Sequence, residues 1–154
     1  MLYALIPSLV VVLSLGQADE SEDKFCLTSQ AFGKTYKSYM AHDAIRISPA
    51  WDEEAESPPV SPRKAIKLAE KMRKSVVKAP DGWKWEVMNL HLLFEEDQLS
   101  GEVHCAWHVM FQAIPIKQKS GPIPFHEVTL IVLMDGTVLE PTVEDAPPEK
   151  KPAD

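Results

Sequence analysis

Little in this chain of 154 residues offers ready chemistry. No G-x-S-x-G or H-E-x-x-H pattern occurs, which removes the nucleophile elbow and the two-histidine zinc helix from consideration. Only two cysteines are present, enough for a single disulfide. No internal repeat of solenoid type is found. Positive charge is in deficit, the net being −7, which argues against nucleic acid as a general partner. The longest apolar run, Leu2 to Leu15, contains Pro7 and falls short of the roughly 20 residues a membrane-spanning helix needs.

What is there begins with an address. Residues Leu2 to Leu15 carry no charge, and Gly16-Gln17-Ala18 places small residues at −3 and −1 before the acidic run Asp19 to Asp23. This pattern predicts a secretory leader over 1–18, cut after Ala18. No Lys or Arg precedes the apolar core, so the positive start of the leader rests on the terminal amine alone. No cysteine stands at the cut, and Cys26 follows Asp23-Lys24-Phe25, too polar a context for lipid attachment. The expected location is secreted or periplasmic, with no stable membrane anchor after cleavage. What remains, Asp19 to Asp154, suffices for one compact domain.

The oxidising address permits a disulfide between Cys26 and Cys105. Two separate thiols are the alternative, because Cys105 alternates with Val103, Trp107 and Val109 on the face a strand would bury.

Residues 19–60 read as a partly ordered extension. Phe32, Tyr36 and Tyr39 have helical spacing, but Gly33 and the Thr/Ser content oppose it, and Asp43 to Pro49 suits a short extended piece. Ser61-Pro62 then supplies a helix N-cap and a proline at the first helical position. Ala65, Ala69, Met72 and Val76, with Ile66 and Leu68 beside them, form one apolar stripe, predicting a helix from Pro62 to about Val77. Its outer face is assigned Arg63, Lys64, Lys67, Lys71, Arg73 and Lys74. Strands are expected at Trp83–Phe94, Glu102–Ala113 and Glu127–Met134, with Asp135-Gly136 turning Thr137-Val138-Leu139 back on the last of them. Residues 141–154 read as a disordered tail.

One helix with one stripe and strands with one alternating face give an α+β domain over 61–140. A single amphipathic helix packs on an antiparallel sheet of three to four strands. The blocks Ser61-Pro62-Arg63-Lys64-Ala65-Ile66-Lys67-Leu68-Ala69, Trp107-His108-Val109-Met110-Phe111 and Val132-Leu133-Met134-Asp135-Gly136-Thr137-Val138-Leu139 resemble the PepSY-like group of small secreted bacterial domains, which have a cystatin-like α+β arrangement. The resemblance spans about residues 61 to 140. It implies binding or inhibition of a protein or peptide rather than catalysis, and it supplies no catalytic residue. The long connection 114–125 and the extension 25–59 depart from the group.

The histidines were the remaining place for chemistry. His104 and His108 stand four apart on a strand, about 13 Å, too far to share one metal. If the turn after Phe94 pairs that residue with Gly101, His91 falls opposite His104 on the outer face, within about 5 Å at Cβ. No third ligand is specified, so no metal is assigned. No catalytic residue and no cofactor are assigned either. The strongest surface feature is the basic helix. Residues 62 to 78 carry seven basic side chains against Glu70, a local surplus of six on an acidic chain. Arg63, Lys64, Lys67, Lys71 and Lys74 are the candidate patch for an anionic partner, with a solvated helix face as the plainer account. The expected function is a non-enzymatic binding module for a protein or peptide partner. A small hydrolase or metal-dependent enzyme, and a structural cell-envelope component, are the alternatives.

Overall fold

The structure, a computed structural model, describes residues 24–52, 54–96, 101–117 and 124–147. The apolar leader, Asp97 to Ser100, the middle of the 114–125 connection and the Lys150-Lys151-Pro152 end lie outside the described residues. In chain order the elements are β1 (Lys24–Ala31), β2 (Lys34–Ala41), α1 (His42–Arg46), α2 (Pro62–Val76), β3 (Trp83–Glu96), β4 (Val103–Pro115), β5 (Glu127–Leu133) and β6 (Thr142–Asp145). They form two antiparallel three-stranded sheets, ordered β1-β2-β6 and β3-β4-β5.

The α+β class is as expected, but the simple plan of one helix on one sheet is not. The stretch expected to be only a partly ordered extension makes a hairpin, β1 with β2, closed by the two residues Phe32 and Gly33. Both have positive φ, 49° and 75°, the signature of the turn whose twist matches a two-residue hairpin. Glycine takes that conformation freely, whereas a bulky residue does so at a cost. The Phe32 ring offsets the strain by packing edge-on against Trp83 and Trp85 and against His126 at 4.2 Å. The apparent helical spacing of Phe32, Tyr36 and Tyr39 therefore misleads. Residues 43–46, expected to be extended, belong to the short helix α1. Part of the tail expected to be disordered is also ordered, since β6 pairs Thr142 to Asp145 with Lys37 to Lys34.

The helix α2 forms as the sequence dictates. Ser61 is extended and its side chain accepts from the Lys64 N–H, while Pro62 occupies the first turn. Ala65 and Ala69 are fully buried against the β4–β5 face that carries Cys105, Trp107, Val109, Phe111, Val128, Leu130 and Val132. Small residues on that stripe let the helix approach the sheet closely. The Trp107 indole N–H donates to the Val60 carbonyl at 2.7 Å, fastening the chain just before the helix begins.

The opposite face is buried as well, on β5 and at the His104–Ala106 end of β4. Ala106, Ile131 and Leu133 pack with Met40 and Ile45, from β2 and α1. Alternation along β4 had suggested one covered face and one wet one; the hairpin and α1 supply the second cover. His104, assigned to the outer face, is consequently buried, its Nδ1 3.2 Å from the Ser48 carbonyl oxygen. The expected return of residues 137–139 is present: Val138 bridges Val132, and Leu139 N–H donates to the Ile131 carbonyl.

Candidate functional site

The two edges of the β3-β4-β5 sheet are treated in opposite ways. On β5 every other residue turns its backbone groups away from β4. The Thr129 N–H donates to Ser29 Oγ and the Thr129 carbonyl accepts from Ser38 Oγ, both at 3.0 Å. The Ile131 carbonyl accepts from Leu139, and Leu133 N–H donates to Thr137. Side chains and a returning segment thus close this edge without a full strand.

The β3 edge carries no such cover: among the described residues β3 pairs only with β4. It is 14 residues long and rich in apolar side chains. A bulge between Val87 and Asn89 interrupts it, one of the devices that discourage indiscriminate edge pairing. Beyond the bulge the Leu90 N–H points away from β4 and is taken by Asn89 Oδ1 at 2.9 Å. By strand alternation Leu92 and Phe94 also present their backbone outward. The helix α2 packs on β4 and β5; on β3, Met88 in the bulge is 53% exposed, and Phe94 is 60% exposed although Trp51 stacks on it at 6.2 Å.

Above the β3–β4 boundary lies a group that the sequence reading misplaced. Arg73 was assigned to the wet face of α2, yet it continues the stripe of Ala65 and Ala69 at intervals of four and is only 7% exposed. Its guanidinium carbon sits 5.4 Å from the Trp85 ring centre and 5.7 Å from that of Phe111. Burial lowers its pKa from the ordinary arginine value, an effect opposed by Glu70. The 65/69/73 spacing was the available signal; the charge of arginine concealed it. The rest of the basic patch is as expected: Arg63, Lys64, Lys67, Lys71 and Lys74 are exposed, with Lys74 bridged to Glu70 at 2.8 Å.

The cysteines do not meet. Cys26 is exposed on β1, Cys105 is fully buried on β4 beneath α2, and both are free thiols, so the permitted disulfide is absent. Burial pushes the Cys105 thiol up to about 11, which leaves it a small apolar side chain rather than a nucleophile.

The cross-strand histidine pair exists, with a different member. The β3–β4 ladder ends at Glu96 and Val103, so its register places His91 opposite His108, and His104 opposite Glu95. The expectation of Phe94 beside Gly101 assumed too tight a turn; Phe94 is opposite Cys105. The His91 and His108 rings stack 5.6 Å apart. Among the described residues no three His, Cys, Asp or Glu side chains converge as metal ligands. Burial, and secondarily the charge of His91, lower the His108 pKa below its usual 6.5, and burial lowers that of His126. The folded protein therefore keeps these rings neutral where the unfolded chain would protonate them. Their contribution to stability is complete above pH 6.5 and is lost as pH falls through the folded values. The denaturant midpoint should hold steady from pH 8 to 7 and decline from 6.5 to 5, with a shallower decline in His108→Gln. A flat profile between pH 7 and 5 would contradict this.

A pocket of about 440 Å³ opens at the start of β3, lined by Asp81, Gly82, Trp83, Pro115, Ile116 and Lys117. Its charged groups, Asp81 and Lys117, are of opposite sign and include no nucleophile with a neighbouring base. Among the described residues no helix is long and apolar enough to cross a membrane. No protein-family model, curated protein or solved structure matches this chain.

Proposed function

We propose that this chain is an exported, non-enzymatic binding module, PepSY-like over residues 61–140, that takes an extended segment of a partner protein or peptide as an added strand on β3. The observation that carries the reading is the asymmetry of the two sheet edges. The β5 edge is closed by Ser29, Ser38, Thr137 and Leu139. Among the described residues the outward groups of Leu92 and Phe94 on β3 have none of these closures. An added strand gains main-chain hydrogen bonds from the outward groups of Leu92 and Phe94, and specificity from alternate side chains laid over exposed Phe94 and its neighbours. Export supplies the setting, through the leader pattern in residues 1–18.

Panning a random decapeptide display library on the full chain tests this. Selected peptides should slow exchange of the Leu92 and Phe94 amides. Proline at an outward N–H deletes a bond to the added strand while leaving the β4 ladder intact. Leu92→Pro should therefore weaken those peptides at least tenfold while still folding, with a moderate loss of stability from the partly buried Leu92 side chain, whereas Leu93→Pro, facing β4, should disrupt the fold. Undiminished binding by a folded Leu92→Pro variant, or a library that yields no binders, would refute strand addition.

A further inference from the structure

We infer that Arg73 and Trp85 form a subsite for a carboxylate, so that the segment recognised at β3 is acidic; this rests on the strand-addition reading above. Arginine is seldom fully buried without a paired anion, because an unpaired charge in a poorly polarisable interior is costly. Here the guanidinium lies over the rings of Trp85 and Phe111. Among the described residues no oxygen accepts a hydrogen bond from it, and its buried Nε lacks a partner. The Trp85 indole nitrogen is a second buried donor without an acceptor. Two side chains that each carry an unsatisfied buried donor are thus in contact. The acid whose field reaches Arg73, Glu70, is already engaged with Lys74.

A guanidinium offers a planar fork suited to the parallel bonds a carboxylate accepts. The place is also right. Trp85 belongs to the open-edge strand itself, and Val87, next along that strand on the same face, is 40% exposed. A segment running along Asn89 to Glu96 and continuing past the bulge passes this point, with alternate side chains directed at this face. Exposed Lys71, Lys74 and Lys78 near the end of α2 give the approach a positive potential that draws an anion in.

The experiment follows the Trp85 indole and Arg73 Nε–H resonances during titration with two small probes, N-acetylglutamate amide and N-acetylglutamine amide. The acid should give saturable shifts and the neutral amide none. Arg73→Met, which keeps the apolar stem, should abolish the response, and Trp85→Phe, which keeps a ring and removes the donor, should weaken it. Melting curves of both variants establish that they fold. Equal responses to the two probes, or none at 50 mM, would overturn the subsite. A second arm compares library-selected decapeptides carrying Glu or Gln at the position facing Val87 and Trp85, with about tenfold preference for Glu expected. Peptides that bind without preference leave the β3 reading standing and remove the subsite. Response to the acidic amide with no peptide binding at all does the reverse.

Discussion

Phe111→Ala should be the most damaging single truncation in this protein, costing about 3–5 kcal/mol of stability. Phe111 is 2% exposed on the central strand β4, opposite Val87 on one side and Val128 on the other, beneath α2. Its removal forfeits the transfer energy of a full aromatic ring and leaves a cavity that the neighbouring strands can only partly close. It also strips one of the two rings from the Arg73 guanidinium, and so exposes a buried charge to a poorer environment. Of a typical domain stability of about 5–15 kcal/mol this is a large share. Urea denaturation should show a lowered midpoint with an unchanged slope, and Phe111→Leu should recover more than half of the loss. A cost below about 1 kcal/mol would mean that α2 is not seated on this ring.

The second large effect is expected at the closed edge. Ser29 and Ser38 are buried, and their hydroxyls satisfy the N–H and the carbonyl of one buried residue, Thr129. Replacing either with alanine leaves a buried backbone group without its partner, at about 1–3 kcal/mol. The double variant should lose more than either single one and should speed exchange of the Thr129 amide. It should also associate at lower concentration, because a second sheet edge becomes available for pairing. Light scattering alongside denaturation measures both consequences. If the double variant matches wild type in midpoint and in exchange, the serines merely fill space.

These two sites differ in how far local sequence specifies them. Phe111 was legible as core, because the alternation Val103, Cys105, Trp107, Val109, Phe111 lies within one strand. The helix was equally legible: Ser61, Pro62 and the apolar stripe are neighbours in sequence, and each acts through the local geometry of a helix. Ser29 and Ser38 carried no comparable signal, since nothing local indicates that two hydroxyls will meet the backbone of a strand about 90–100 residues later. The hairpin was concealed by Phe32, whose positive φ is held in place by Trp83, Trp85 and His126 rather than by its own preference. The histidine register failed for a related reason. Alternation determines which face a residue occupies, but the length of the connection determines which residue it faces.

The sequence by itself determined the position and caps of α2, the strands of the β3-β4-β5 sheet to within about two residues, and the acidic chain with its basic helix. All of these arise from short-range periodicity or composition. Only the tertiary structure decided that β5 is closed and β3 open, that both faces of β5 are buried, that Cys26 and Cys105 stay apart, and that Arg73 lies over two rings. Each of those is a relation between segments far apart in the chain, set by the packing of the whole molecule, and no local pattern encodes it.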